Sequence, residues 1–188
     1  FKQAGSLVQP KGENAVELFQ QVLATDPDNP VALQAMSEIA ERILVQGERL
    51  LNKGQLAAVD ELVLDAAGAG VGEDVVAQLR NAALDERQRL KTVADLLVTG
   101  QELFNKGLLT EPSSGNAVMV LRNVQQLDPG NTAARSLLRR CAERLAKAAI
   151  EARGFGLLAD ADQYLALALS IQPDSTKWNE LQRQWQGS

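Results

Sequence analysis

The chain has 188 residues, of which 45% are hydrophobic and only 4% aromatic, and its formal net charge is −5. An acidic chain disfavours a general nucleic-acid binder, and the absence of histidine removes the commonest general base and metal ligand. The lone cysteine, Cys141, permits no internal disulfide, and we expect it to pack as a small core residue.

The first complete helix is predicted between Asn14 and Thr25. Apolar residues at helical spacing form one stripe in NAVELFQQVLAT, and Asn14 can accept a hydrogen bond from the free N–H groups of the first turn. The following Asp26-Pro27 ends the helix because proline disfavours helical backbone in the residue before it. Upstream, residues 1–13 are interpreted as the tail of an incomplete helix and a polar loop. We therefore expect an excised domain whose signal or anchor would lie further upstream.

This opening unit is repeated once. NAVELFQQVLATDPDN, residues 14–29, returns as NAVMVLRNVQQLDPGN, residues 116–131, at a constant offset of 102 residues. Self-similarity on this scale is typical of repeat architectures.

The remaining elements are also predicted to be helical, since no stretch alternates with the period of a strand. The segment 68–72 is rich in glycine and is interpreted as a wide turn rather than a hinge. No apolar run is long enough to span a membrane. The expected helices are Pro30–Lys53, Leu56–Ala67, Glu73–Lys106, Asn131–Arg153, Leu157–Ile171 and Ser175–Gln186.

Four segments share a spacing of small, large and small residues, and three of them end in proline. These segments are Ala15/Phe19/Val22/Pro27, Val59/Val63/Ala66/Val71, Ala117/Leu121/Val124/Pro129 and Ala161/Leu165/Ala168/Pro173. The spacing resembles the second helix of a tetratricopeptide repeat. The small residue of the family's first helix and its turn glycine are matched by Gly47/Gly54, Gly100/Gly107 and Ala149/Gly156, and Gly5 matches the first turn glycine. The period is about 50 residues rather than the family's 34.

The resemblance implies an all-α, antiparallel helix-hairpin solenoid, a right-handed superhelix with long first helices. We expect residues 1–72 to form a first repeat pair, 73–173 a second and 174–188 a capping helix, all in one continuous domain. In the capping helix, Trp178, Leu181 and Trp185 form one apolar stripe. Capping is the favoured interpretation of this stripe, and docking or homodimerisation through the two tryptophans is the alternative.

In the tetratricopeptide family, ligands lie in a groove lined by the first helices. Apolar side chains with a few amides at those positions suit an extended peptide or a partner helix. The alternative is that Leu44, Leu51, Leu97 and Phe104 face neighbouring helices instead. The positions that the resemblance assigns to the groove are Leu44, Glu48, Leu51, Asn52, Leu97, Val98, Gln101, Phe104, Asn105, Lys147, Ile150 and Arg153.

A basic helix offers another candidate surface. Its cations could meet an acidic partner, although a solvated face paired with neighbouring acids is the more ordinary interpretation. They are Arg135, Arg139, Arg140, Arg144, Lys147 and Arg153.

No phosphate loop, nucleophile elbow, Cys/His cluster or EF-hand spacing occurs in the sequence, so neither an enzyme nor a cofactor is expected. The chain is interpreted as a protein–protein interaction scaffold that recruits or activates a partner through a concave groove. Its repeats resemble those of Gram-negative envelope proteins, which favours the periplasmic side, with a cytoplasmic location as the alternative. The rival functions are a regulatory or sensory region of a larger enzyme, such as a kinase or transferase, and a self-association module.

Overall fold

The computed structural model describes residues 5–9 and 14–186, and the regular elements in these ranges are all α-helices. The predicted all-α class is therefore confirmed. Eight helices have 11 residues or more, and a four-residue helix precedes them. They are α1 (Gly5–Val8), α2 (Ala15–Thr25), α3 (Pro30–Asn52), α4 (Leu56–Ala69), α5 (Glu73–Asn105), α6 (Ala117–Leu127), α7 (Thr132–Gly154), α8 (Leu158–Ile171) and α9 (Thr176–Gln186).

Helices that follow one another in the chain pack together. In the first part of the chain α1 contacts α2, α2 contacts α3 and α3 contacts α4, with a further contact between α1 and α4. In the second part α6 packs on α7, α7 on α8 and α8 on α9. None of the helices in the described ranges is long and apolar enough to cross a membrane.

The predicted internal repeat is reproduced at the level of helix boundaries. Helices α2, α3 and α4 begin and end 102 residues before α6, α7 and α8, respectively. The turns repeat as well, because Asp26 and Asp128 each donate a backbone N–H to the carbonyl four residues earlier, at 2.8 Å in both copies. Two segments of different sequence thus fold to the same plan.

Asparagine caps set the starts of the repeated helices. The side-chain oxygen of Asn14 accepts from the N–H of Glu17 at 3.0 Å, and that of Asn116 accepts from Met119 at 2.9 Å. Asn29 and Asn131 cap α3 and α7 in the same way. Each cap satisfies one of the N–H groups that a helix start leaves without an intrahelical partner. The helix starts predicted at Asn14 and Asn29 are therefore confirmed.

The glycine-rich segment after α4 is shorter than predicted. Helix α4 continues through Gly68 and Ala69, and only Gly70 adopts left-handed backbone, with φ 79°. The N–H of Val71 bonds to the carbonyl of Ala66 at 2.9 Å, which closes the helix end as in a Schellman motif. A glycine inside a helix costs only about 1 kcal/mol relative to alanine, so Gly68 did not end the helix.

The glycines predicted at turns and at close helix contacts lie at such positions, but Gly47 contacts a different helix from the one predicted. Gly54, Gly107 and Gly156 have φ of 68°, 78° and 79°, values that favour glycine over other residues. A Cβ on Gly100 would lie 2.7 Å from Leu121 of α6, its hairpin partner, as expected. A Cβ on Gly47 would instead meet Leu79 of α5, not the hairpin partner α4. Gly47 thus allows α3 and α5 to approach.

Two compact units divide the chain, Phe1–Gln88 and Arg89–Ser188. The apolar cluster of the first is built around fully buried Ile43, Val59 and Ala66. That of the second surrounds Leu121, Cys141 and Leu165, which confirms Cys141 as a core residue. The predicted boundaries at residues 72 and 173 remain a prediction about repeats, and each unit is described by itself below.

Candidate functional site

The groove positions of the first unit lie on the last two turns of α3. Leu44 and Leu51 are half-buried and pack against the apolar core of this unit. Glu48 and Asn52 are exposed. These two leucines therefore contribute to the fold whether or not a partner binds beside them, as the alternative interpretation stated. Their groove role remains a prediction.

The groove positions of α5 divide between core and surface. Leu97 is half-buried against the core of the second unit, whereas Val98 and Asn105 are exposed. The side-chain amide of Gln101 donates to the side-chain oxygen of Asn105 at 2.8 Å. The two predicted amides thus bond to each other across one helical turn, and a ligand would have to compete with that bond.

Phe104 lies beneath two arginines of α7. Its side chain is only 9% exposed, and the guanidinium of Arg140 stacks over the ring at 4.5 Å from the centroid, with Arg144 at 5.7 Å. Arg144 Nη1 also donates to the backbone oxygen of Phe104 at 3.1 Å. Cation–π contacts of this kind stabilise by about 0.5–1 kcal/mol at exposed sites. The ring therefore faces arginine, and whether it also contributes to a groove remains a prediction.

The basic side chains of α7 therefore lie on two different faces of the helix. Arg140 and Arg144 cover Phe104, so they act within the fold. Arg139 pairs with Glu143 at 3.7 Å and Lys147 with Glu151 at 3.6 Å, both across one turn of exposed helix. Exposed pairs at this spacing contribute about 0.3–0.5 kcal/mol each, so the second group can exchange partners at little cost.

One concavity built from described residues of the second unit lies between α7 and the start of α9. We call it the α7–α9 cleft; its volume is about 610 Å³. Its lining combines apolar surface from Ala146, Ile150 and Trp178 with four charged side chains and two uncharged polar ones. The charged and polar members are Glu143, Lys147, Glu151, Lys177, Gln172 and Ser175.

Two of the predicted groove residues are brought together in this cleft. Ile150 is 49% exposed although it is a large apolar side chain, and Lys147 lies one turn before it on α7. Trp178 of α9 also lines the cleft, although it is only 7% exposed and packs in the apolar cluster of this unit. The cleft thus offers an apolar surface with charges of both signs around it, which is how binding sites commonly combine affinity with orientation.

A smaller concavity of about 320 Å³ shares Gln172 with the α7–α9 cleft. It is lined on α7 by Thr132, Arg135, Ser136 and Arg139. These positions recur every three or four residues, and the spacing continues into Glu143, Ala146 and Ile150 of the cleft. One face of α7 therefore forms the side of both concavities.

Arg153, the last predicted groove residue, joins α7 to α9. Its guanidinium stacks on the ring of Trp185 at 4.7 Å, and Nη2 lies 3.5 Å from the backbone oxygen of Trp185. Asp162 of α8 lies 4.0 Å from the same guanidinium. Arg153 thus holds the wall of the α7–α9 cleft in place.

Sequence reasoning missed the part of the cleft that α9 and its preceding turn provide. The sequence predicts Trp178 as part of a cap, and it does not point to Gln172, Ser175 or Lys177. The repeat offset contains the missing signal, because Trp178 and Leu181 stand 102 residues after Val76 and Leu79 at the start of α5. Helix α9 therefore corresponds, at the 102-residue offset, to the first turns of α5.

The buried thiol of Cys141 has little nucleophilic character. Burial raises the pKa of Cys141 from its ordinary 9.0 to about 11, although the nearby charges of Arg140 and Arg144 act in the opposite direction. A thiol with so high a pKa remains protonated at neutral pH, and the thiolate is the reactive form. Among the described residues, no group of three or more Asp, Glu, Cys or His side chains is arranged to hold a metal ion.

Comparison with known proteins gives no match. No protein-family model matches the chain, and neither a curated protein nor a solved structure matches it significantly.

Proposed function

We propose that this chain is a non-enzymatic interaction scaffold, a tetratricopeptide-like helical solenoid that binds a protein partner. The α7–α9 cleft is the observation that carries the proposal. It combines an exposed isoleucine, a tryptophan wall and a charged rim in one concavity of the second unit. By binding a partner at this surface, the scaffold would recruit or activate that partner.

The cleft favours a peptide segment with one large apolar anchor. Burying an apolar side chain against Ile150 and Trp178 stabilises a complex by about 1.5–3 kcal/mol for a leucine-sized group. Lys147 and Lys177 can pair with carboxylates of the segment, and Glu143 and Glu151 with its cations. Charges arranged around an apolar centre act chiefly on specificity and on the rate of association.

The resemblance to envelope proteins supports a partner on the periplasmic side, and that placement is part of the proposal. A role as a regulatory region of a larger enzyme would use the same surface toward another domain. No observation among the described residues favours that role over recruitment.

The test is an affinity capture from envelope and cytosolic fractions of the source cells, read by mass spectrometry. Three baits run in parallel: the unaltered chain, Ile150→Glu, and the matched control Leu158→Glu. Leu158 is exposed to a similar degree, 54% against 49%, but lies on α8 outside the cleft. Circular dichroism would first establish that all three baits fold alike.

We expect a partner that the unaltered chain and Leu158→Glu retain and that Ile150→Glu loses. A glutamate at position 150 would place an unpaired carboxylate in the apolar centre of the complex, which is strongly unfavourable. Recovery in the envelope fraction would support the compartment as well. Equal capture by all three baits would contradict the assignment of the cleft, and capture of nothing specific would contradict the scaffold function.

A further inference from the structure

Helix α7 lines two concavities of the second unit with one face. Thr132 of the smaller concavity and Ile150 of the α7–α9 cleft are about five full turns apart, so they lie on one line along the helix. Arg135, Arg139 and Ala146 fall within about 60° of that line, since successive residues are rotated by about 100°. The two concavities are therefore neighbours along a single path on α7.

The charges change along this path. The side chains that line the smaller concavity among the described residues include two cations, Arg135 and Arg139, and no acid. Arg135 is exposed and has no ion-pair partner in the described part of the chain, whereas Arg139 makes the exposed pair with Glu143. In the α7–α9 cleft, by contrast, two lysines are balanced by two glutamates. Positive charge is thus concentrated at one end of the path, and the apolar surface lies at the other.

The first copy of the repeat has the same open face but different side chains. Val45 and Glu48, on the corresponding turns of α3, are exposed, so the openness of this face is common to both copies. The combination of two cations with an exposed isoleucine is particular to the second copy, which points to a ligand that this copy alone recognises. At the positions of Arg135, Arg139 and Ile150, the first copy has Leu33, Ser37 and Glu48.

We propose that the partner segment in the α7–α9 cleft continues along α7 and places two carboxylates over Arg135 and Arg139. This assignment rests on the proposed function, because it names the partner of the same cleft. Guanidinium groups bind carboxylates through bidentate, charge-assisted hydrogen bonds. The exposed pair between Arg139 and Glu143 can be exchanged for such a contact at little cost. The partner is thus an extended acidic segment with one large apolar side chain.

The helix sets the distance between the acids and the apolar side chain of this segment. The midpoint between Arg135 and Arg139 lies about 13 residues before Ile150, which at 1.5 Å per residue is about 20 Å along α7. An extended chain covers about 3.3 Å per residue, so about six residues separate the acids from the apolar side chain. A segment with a much shorter separation would leave one of the two concavities unfilled.

The probes are synthetic peptides that act as rulers. Each carries two aspartates and one leucine separated by prolines, which form a stiff helix with a rise of about 3.1 Å per residue. Six prolines span about 19 Å, and two prolines span about 6 Å. Both lengths are made in the two possible chain orders with acetylated and amidated ends, and a further six-proline peptide has asparagines in place of the aspartates. Binding to the isotope-labelled chain is followed by NMR chemical shifts, which give the dissociation constant and the residues affected.

The protein variants separate the effect of the two arginines from that of overall charge. Arg135→Glu combined with Arg139→Glu reverses the charge of the smaller concavity. Arg42→Glu combined with Arg49→Glu is the matched control, because these are exposed arginines of α3 and the net charge changes by the same amount. Ile150→Glu removes the apolar surface of the cleft. Circular dichroism verifies each fold, and glutamine replaces glutamate where charge reversal causes a loss of helix.

We expect the six-proline peptide, in one of its two orders, to bind at least tenfold more tightly than the two-proline peptide and to shift resonances in both concavities. Two linked contacts raise affinity in this way when the linker matches the distance between their sites. The α7 double variant and the asparagine peptide should each weaken binding tenfold or more. The α3 control should retain the affinity of the unaltered chain.

Equal affinity for the two spacer lengths, unchanged binding to the α7 double variant, or no binding in either order would overturn the proposal. Binding that depends on Ile150 but not on the arginines would leave the proposed function intact and remove only its acidic specificity. Equal capture of a cellular partner by the Ile150→Glu bait would instead contradict the proposed function itself. A dimer that Ile150→Glu converts to monomer in light scattering would show that a second copy occupies the cleft, which would also overturn the proposal.

Discussion

Asn14 and Asn116 are the buried polar side chains among the described residues, 1% and 6% exposed. A buried amide is tolerated only when it is hydrogen-bonded, and Asn116 meets that condition on both sides. Its oxygen accepts from Met119, while its nitrogen donates to the carbonyls of Thr110 and Pro112, both at 2.9 Å. One residue thus begins α6 and holds the loop before it.

Ala117, directly after this cap, should not accept a large or charged side chain. It is fully buried against neighbouring helices, so Ala117→Glu combines overpacking with an unpaired carboxylate. We expect a loss of free energy of unfolding of about 1–3 kcal/mol or more, measured by urea denaturation. The matched control is Ala15→Glu at the same repeat position, which is only half-buried and should lose less. No loss for Ala117→Glu would contradict the repeat register, and equal losses for the two variants would contradict the difference in burial between the two positions.

The raised pKa of Cys141 predicts a loss of stability at high pH. The thiol has a pKa of about 11 in the folded chain and about 9.0 when exposed, so between these values the folded state binds more protons. Stability from this group is therefore complete below pH 9 and falls as the pH rises toward 11. Denaturation of the unaltered chain should show this decline beyond that of Cys141→Ala. An identical pH profile for the two proteins would contradict it.

Some residue roles could be read from the sequence because their causes are local. Asn14, Asn29 and their partners in the second copy bond within one turn, so residue type and spacing reveal them. The cover of Phe104 by Arg140 depends on a contact between α5 and α7, which no local pattern encodes. That contact changes how Phe104 should be interpreted, and it became visible only with the packing.

At the scale of elements, helix ends were predictable where a residue forbids continuation. Asp26-Pro27 and the left-handed Gly54 and Gly156 stop helices for reasons of backbone geometry. The prediction ended α4 at Ala67, before Gly68. Helix α4 continues to Ala69 because a glycine within a helix costs little stability and the neighbours of Gly68 continue an apolar stripe. The partner of Gly47 was also misassigned, since the choice between α4 and α5 depends on which helices approach.

The two helical glycines Gly68 and Gly100 should respond oppositely to substitution. A Cβ on Gly68 meets nothing within 4 Å, so Gly68→Ala should raise stability by about 0.5–1 kcal/mol through helix propensity. Gly100→Leu should lower it by about 1–3 kcal/mol, because Leu121 is fully buried and cannot withdraw freely. Thermal melting of both variants distinguishes the two effects. A stabilised Gly100→Leu would mean that α5 and α6 do not pack closely.

At the scale of the whole molecule, each compact unit has its own apolar cluster. The all-α class and the repeat were predictable, because both follow from periodic patterns that extend over the chain. The α7–α9 cleft was predictable only in part. Its α7 side follows from helical spacing, whereas its other wall required knowing that α9 returns onto α7.

Because the two cores are separate, a destabilising substitution in one core should lower the stability of that unit first. Ile43 is fully buried in the first unit, so Ile43→Ala should cost about 2–5 kcal/mol there. Both tryptophans lie in α9 of the second unit, so fluorescence follows that unit while circular dichroism follows all helices. We expect the circular dichroism transition to shift to lower denaturant more than the fluorescence transition.

The matched control for this measurement is Leu165→Ala, which removes an equally buried side chain from the second unit. It should shift the fluorescence transition directly. If both variants move the two signals together, the chain unfolds as a single cooperative system and the separation of cores has no energetic counterpart.

The single cysteine gives the second unit a chemical probe of its opening. Cys141 is fully buried in the apolar cluster of that unit, so a thiol reagent can reach it only when the surrounding helices separate. The rate of labelling, compared with that of an exposed thiol, therefore reports the free energy of that opening without a denaturant. The corresponding position of the first unit holds Ile39, so the labelling reports the second unit alone.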